Sequence, residues 1–233
     1  MIGILFSGGK DSTYVIYKAI EEGKKVKCLI TMKSQNKESY MFHTATINIT
    51  KMQAKAMKIP IMYFTTKGEK EKELKDLEKA IKKAKTKYKI KEIGVGALAS
   101  EYQKARVKKI CDKLKLKMFA PLWKKNQKQY LEELVQKGFE IKFTGVGAYG
   151  LTEAWLSKNL DERTIKELIK LNEKYGIHIG GEGGEYETIV LNAPIFKQKI
   201  QIIKTNKKMN SENSGRIEII KAKLIEKTNK QPN

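Results

Sequence analysis

Six consecutive residues, Ser7-Gly8-Gly9-Lys10-Asp11-Ser12, combine the groups that an anion site uses. Two glycines let backbone amides come close to an oxyanion, and a helix starting here adds unpaired N–H groups and the positive end of its dipole. Ser7 and Ser12 bring hydroxyl donors, and Lys10 brings a cation. Asp11 would repel a bare phosphate, so it reads either as a helix cap or as a magnesium ligand. A tight turn capped by Ser or Asp uses the same residues, but the whole string between an apolar run and a helical pattern favours phosphate. A second concentration is Glu182, Glu185 and Glu187, three acids within six positions, set among Gly181, Gly183 and Gly184 and flanking Tyr186. Carboxylates so placed hold magnesium, take a proton from ammonium or face a cationic substrate, and Tyr186 beside them offers a cation–π face. A solvated acidic turn is the plain alternative. Two smaller polar groups remain. His43 follows the second expected strand, where α/β sheets present ligand groups, and Glu101, Gln103 and Arg106 cluster further on, with Gln103 and Arg106 spaced to share one ligand from a helix.

The elements that must position these residues alternate. Short apolar, β-rich runs at residues 2–6, 26–31, 61–64, 92–95 and 117–120 predict strands. Residues 12–22, ending at Gly23, predict a helix; so do Leu74, Leu77, Ile81 and Ala84 on one face, and Tyr102, Val107, Ile110 and Leu114 after Ser100. This alternation predicts a mostly parallel sheet of about five strands with helices on both faces. After Pro121 the pattern changes. Helices are expected at 129–137, stopping at Gly138, and at 162–175, stopping at Gly176; strands are expected at 140–143, 187–191, 199–204 and 217–225, with a polar turn at 210–215. The division drawn is a first domain of residues 1–125 and a smaller α+β C-terminal domain of residues 126–233, with a frayed tail from 227.

Composition removes several function classes. The formal charge is +22, yet only Arg106, Arg163 and Arg216 are arginines, so the positive charge is nearly all hydrated lysine. That argues against a sequence-specific DNA reader and leaves nonspecific attraction to polyanions open. The opening apolar run is far shorter than the roughly 18 residues of a membrane span. Cys28 and Cys111 are too few for a disulfide framework or a structural zinc site, and His43 and His178 are too few for a histidine-rich metal centre. A soluble cytoplasmic protein is the expectation. Trp123 and Trp155 stand among apolar residues and read as core groups, not base platforms. His178, near Gly180 and Gly181, is placed to order the acidic string.

The spacing of residues 7–12 is neither a Walker loop nor a dinucleotide fingerprint. It resembles the PP-loop of the N-type ATP pyrophosphatases, S-G-G-x-D-[ST]. With residues 38–43, with Ser100-Glu101-Tyr102-Gln103 and Arg106, with Pro121-Leu122-Trp123, with Gly150-Leu151 to Trp155-Leu156 and with the string 181–188, the chain resembles the diphthine–ammonia ligase family from its first strand to about Phe196. One departure is Leu156-Ser157-Lys158, where a glycine-containing Leu-Gly-Arg is common in the family.

The resemblance implies a Rossmann-like fold of the adenine nucleotide alpha-hydrolase type, with ATP and Mg2+ at residues 7–12 and Asp11 on the metal. It further implies His43, Gln103 and Arg106 on the nucleotide, Glu101, Gly183, Gly184 and Tyr186 on the substrate, and Asp11, Glu182, Glu185 and Glu187 in catalysis. The implied activity converts the diphthine carboxylate on translation elongation factor 2 to an amide with ammonium, through an acyl-adenylate, releasing AMP and pyrophosphate. Alternatives held open are a PP-loop enzyme that modifies RNA and an ATP-binding regulatory module without turnover. The cysteine pattern disfavours sulfur transfer to RNA, so a nucleic-acid partner is not the expectation; a homodimer stays open.

Overall fold

The computed structural model describes residues 1–34, 47–67, 72–97 and 101–227. Its first sheet contains β1 (Ile2–Leu5), β2 (Val26–Ser34), β3 (Ile61–Thr66), β4 (Glu92–Gly94) and β5 (Lys117–Phe119). Every neighbouring pair is parallel, in the order β3-β2-β1-β4-β5. The crossovers are α1 (Lys10–Glu21), α2 (Ile47–Met57), α3 (Lys72–Tyr88) and α4 (Glu101–Lys113). Alternation along β2 sends Leu29 to a core with α1 and α2, while Cys28 and Ile30 meet α3 and α4 on the other face. Both cysteines are buried, which pushes each thiol up to about 11. The chain leaves β1 toward β2 on one side and places β4 on the other. This opens a crevice outside their carboxyl ends, where ligands of such sheets bind.

The second sheet is antiparallel, in the order β7-β6-β9-β8. Its strands are β6 (Glu140–Val146), β7 (Tyr186–Asn192), β8 (Gln198–Ser211) and β9 (Ser214–Glu226), and α5 (Gln127–Gln136) and α6 (Glu162–Tyr175) accompany them. Asn126 caps α5 by accepting from the Gln129 amide, and Asp161 with Thr164 forms a capping box on α6, which ends at left-handed Gly176. The expected parallel sheet and the smaller α+β region are both present. Two elements differ from expectation. Helix α2 carries Ile47, Ile49 and Thr50, β-branched residues with weak helix propensity, yet a parallel step from β2 to β3 requires a crossover of this kind. The hairpin of β8 and β9 is much longer than the runs 199–204 and 217–225, because its far half is exposed and polar and turns only at Glu212 and Asn213.

A single cluster of buried side chains joins the two sheets. Tyr14 of α1 meets Tyr130 of α5 edge-on at 5.1 Å between ring centroids, and Tyr17 meets Phe139 at 5.7 Å. The Tyr14 hydroxyl donates to Glu133 at 2.6 Å and accepts from Lys125 at 2.7 Å, while Lys125 also pairs with Glu133. Burial alone would raise the Glu133 carboxyl, but the hydrogen bonds from Lys125 and Tyr14 outweigh it and hold the group below the usual carboxylate range. Trp155 packs edge-on against Phe143 at 5.2 Å inside this core, as its setting predicts. Lys82, Lys83, Lys108 and Lys109 are exposed on helix faces. Among the described residues, no helix is long and apolar enough to cross a membrane.

Ser157 adopts φ +76, the left-handed region, while its amide donates to Phe143 O at 2.9 Å. A serine bears a strain in that region that glycine would not. Ser157→Gly should therefore stabilise the protein by about 0.5–1 kcal/mol, a rise of roughly 1–4 °C in Tm by calorimetry, after allowance for glycine's greater unfolded-state entropy.

Candidate active site

The loop after β1 is built by short local bonds. Gly9 is the N-cap of α1, and its carbonyl accepts from the Ser12 hydroxyl at 3.2 Å and the Thr13 hydroxyl at 2.9 Å. Ser7 N donates to Ser12 Oγ at 3.3 Å, so both hydroxyls sit under the helix start. Asp11 lies in the first turn of α1 and does not cap it: its carboxylate accepts from Lys10 Nζ and from the Tyr130 hydroxyl at 3.0 Å. Burial holds the Tyr130 phenol well above its ordinary range, so it remains a donor to Asp11. The neighbouring ammonium answers the repulsion that a lone Asp11 would exert on phosphate.

The loop is also fastened from outside. Gly8 takes φ +87, and a Cβ there would meet Gln53 Oε1 at 2.5 Å. Its carbonyl accepts from Val190 N on β7 at 3.1 Å and from Gln53 Nε2 on α2 at 2.8 Å; the same Nε2 donates to Val190 O at 2.8 Å. On the β4 side, Gly96 lies so close that a Cβ would stand 3.1 Å from the Asp11 backbone. The start of α1 is therefore enclosed by both sheets at the crevice.

A cavity of about 270 Å³ opens there. Leu5, Ile30, Met32, Val95 and Val107 form its apolar side. Ser7, Gly9, Lys10, Asp11 and Ser12 form one polar wall, and Glu182, Gly184, Tyr186, Glu187 and Thr188 form another. Lys104 of α4 completes the rim, its ammonium 3.5 Å from the centroid of the Trp123 ring. This arrangement brings the N-terminus of α1, with the positive end of its dipole, and two lysines to the same space as the carboxylates of Glu182 and Glu187. It suits a polyphosphate beside an apolar base, with acid–base groups on the opposite wall.

The three glutamates separate into two roles. Glu182 and Glu187 border the cavity, whereas Glu185 turns away to accept from the His178 amide at 3.0 Å. A Cβ on Gly183 would lie 2.8 Å from Glu185 Oε1, so glycine makes room for that turn. Tyr186 is 4% exposed, and its hydroxyl donates to Ile179 O at 2.6 Å. Its ring lies against Gly181 and carries the chain's own cation, Lys10 Nζ, 5.3 Å from its centroid. Burial raises this phenol well above its ordinary range, so it too stays protonated. His178 orders the string from its other end, through Gln127 on one ring nitrogen at 2.7 Å and the Glu182 amide near the other at 3.4 Å.

Of the other expected site residues, Gly8 lies beneath the loop, and Glu101 and Arg106 stand on α4 outside the cavity wall, with Glu101 exposed. His43 and the side chain of Gln103 lie outside the described residues. Among the described residues, no group of three or more metal-ligating side chains gathers; a magnesium ion carried by phosphates requires only one or two carboxylates. Gln53, Tyr130, Gln127 and Lys104 belong to the site but carry no motif of their own in the sequence. Lys104 was within sight, inside the stretch between Gln103 and Arg106, but Gln53 sits in a helix with no clear periodicity and carries no signal.

Residues 1–118 match the diphthamide synthase N-terminal domain, and residues 126–225 match the diphthamide synthase C-terminal domain. The chain belongs to the diphthamide synthase family. Among its relatives, the diphthine–ammonia ligase of Rattus norvegicus is 35% identical over 220 residues, covering 86% of this chain and 82% of that protein. The Homo sapiens diphthine–ammonia ligase is 35% identical over 218 residues, covering 85% and 81%. That of Schizosaccharomyces pombe is 32% identical over 243 residues, covering 96% of this chain but 39% of its own length. A solved structure described as a predicted subunit of tRNA methyltransferase from Methanocaldococcus jannaschii aligns with a TM-score of 0.45 and 13% identity over 83% of this chain and 97% of that one; a likeness so slight carries no argument. For this diphthamide synthase family member, Gly8→Ala should be among the costliest single changes at the site. It combines a left-handed backbone with a collision against Gln53, so a loss of roughly 2–4 kcal/mol in unfolding free energy is expected. ATP affinity should fall with it, both measurable by denaturant titration and calorimetry.

Proposed function

We propose that this chain is an ATP-dependent diphthine–ammonia ligase, acting on translation elongation factor 2 that carries diphthine, with free ammonium as nitrogen donor. The observation that carries this reading is the shared cavity: the N-terminus of α1 with residues 7–12 faces Glu182 and Glu187 across one space. The family relation and the relatives' ligase activity support it.

In this reading the triphosphate lies along the loop of residues 7–12, with its base against Ile30, Met32 and Val95, and magnesium accompanies it with Asp11 as the carboxylate at hand. A carboxylate oxygen of diphthine attacks the α-phosphorus, the bond to the bridging oxygen breaks, and pyrophosphate leaves. Ammonia then attacks the acyl carbon of the mixed anhydride, the acyl–oxygen bond breaks, and AMP leaves with the amide formed. Ammonium must lose a proton before attack, and Glu182 and Glu187 are the carboxylates on the cavity wall that receive it. The same pair balances the quaternary ammonium of diphthine. Glu185 serves by holding the His178 segment in place. Helix N–H groups and Lys104 supply the positive field that a polyphosphate needs. No covalent enzyme intermediate is required, and positioning supplies much of the rate.

Residues 1–125 thus hold the nucleotide and residues 126–233 the acceptor. In this reading the protein works in the cytoplasm, where its translation-factor substrate is found. The buried, high-pKa thiols of Cys28 and Cys111 weigh against a sulfur-transferring RNA enzyme.

Incubation with ATP, ammonium and diphthine-bearing elongation factor should release AMP over repeated turnovers only when all three are present, whereas ATP and the factor without ammonium should release at most one equivalent of pyrophosphate; release that needs RNA instead would sink the reading. Asp11→Ala should abolish pyrophosphate release in a folded protein, as judged by circular dichroism. Glu187→Gln should lower kcat by about 10²–10⁴ while ATP affinity holds.

A further inference from the structure

The string of residues 7–12 suggests that Lys10 is a phosphate ligand, but its ammonium is already committed elsewhere. The residue is 2% exposed. An ammonium has three N–H donors. Here they face Asp11 Oδ1 at 3.0 Å, Asp11 Oδ2 at 2.9 Å and Gly180 O at 2.6 Å, with the Tyr186 ring alongside. To reach a phosphate, the buried Nζ would have to abandon either its half-buried carboxylate partner or the Gly180 carbonyl, each a loss for an ammonium already out of water.

The Gly180 end of this contact belongs to the segment that carries Glu182. That segment is otherwise held by its own side of the molecule. The Gly180 amide donates to Gln127 Oε1 at 3.1 Å, Ile179 O accepts from Tyr186, and the Gly181 amide donates to His178 O at 2.8 Å. Among the described contacts, Lys10 Nζ is the side-chain atom that reaches this segment from the phosphate loop. The Lys10 amide makes a second link, donating to Thr188 Oγ1 at 3.2 Å just beyond Glu187. One residue of the phosphate loop therefore touches both ends of the acidic string.

We propose that Lys10 is a positioning residue for the acceptor-side string and not a phosphate ligand, and that through it nucleotide occupancy and acceptor binding are coupled. The inference rests on the ligase reading of the same cavity. Triphosphate bound against the start of α1 stiffens the Lys10–Asp11 pair, which fixes Gly180 and with it the place of Glu182. By linkage, acceptor binding then strengthens nucleotide binding by the same factor.

The test compares wild type with Lys10→Met, a neutral side chain of similar length. In the variant, the dissociation constant for ATP should stay within about threefold, while affinity for the diphthine-bearing factor falls about tenfold and its enhancement by a non-hydrolysable ATP analogue disappears. A tenfold or larger loss of ATP affinity with unchanged factor affinity would overturn the proposal and make Lys10 a phosphate ligand. Amide hydrogen exchange over residues 179–183 provides a readout free of any acceptor: Lys10→Met should speed it about tenfold, and unchanged exchange would refute the tether. If wild type fails to prefer the diphthine-bearing factor, the ligase reading falls and this exchange measurement still decides the role of Lys10. A crystal structure of wild type with ATP needs no variant, and Lys10 Nζ remaining about 3 Å from Gly180 O is the expected result.

Discussion

The carbonyl of Gly8 accepts from Val190 on the second sheet and from Gln53 on α2, and it does so only because the backbone there turns through φ +87. Much of the site follows from this junction. It sets the loop of residues 7–12 against β7, which brings the acidic string at the start of β7 to the start of α1. Without that contact the parallel sheet would still offer a nucleotide crevice, as such topologies do. The opposite wall, with its carboxylates, would have no fixed distance from it. Gln53 bonds both Gly8 O and Val190 O from one amide nitrogen, and in doing so leaves its own Oε1 buried and unpartnered among the described contacts. An orphaned acceptor costs free energy, so the arrangement favours a placed loop over full polar satisfaction.

The charge of the chain gains meaning from where it is absent. A +22 protein keeps its lysines largely on outer helix faces and on the long hairpin. The cavity, by contrast, gathers Asp11, Glu182 and Glu187, with Lys10 and Lys104 as its cations among the described residues, and Lys10 is paired to Asp11. A long-range positive field draws polyanions and acidic protein surfaces toward the molecule, while the acidic string offers a local exception for a cationic side chain. The lysine surface and the acidic wall thus act at different distances.

What could be read from the amino-acid order was local. Helix α6 was legible to the residue because periodic apolar groups end at Gly176, and the strands of the first sheet showed themselves as apolar, β-rich runs. The loop of residues 7–12 was legible as a strand-to-helix turn because its glycines and hydroxyl residues are adjacent in the chain. Helix α2 was not, since its β-branched residues argue against a helix that only the crossover demands. The split of the three glutamates was hidden as well: it depends on Gly183 making room for Glu185 and on the His178 amide standing within reach. The direction of Lys10 could not be read at all, because its acceptor lies 170 positions away in the chain.

The buried cluster that unites Tyr14, Tyr130, Phe139 and Phe143 has a further bearing on how the molecule must work. Two lobes that share one core keep between them a gap whose width depends on the volumes of aromatic rings well behind it. Catalytic geometry here is thereby hostage to packing: an ångström lost from a ring in the interior would be felt where the two reactants touch, and effects on rate of about a hundredfold can follow from displacements of that size.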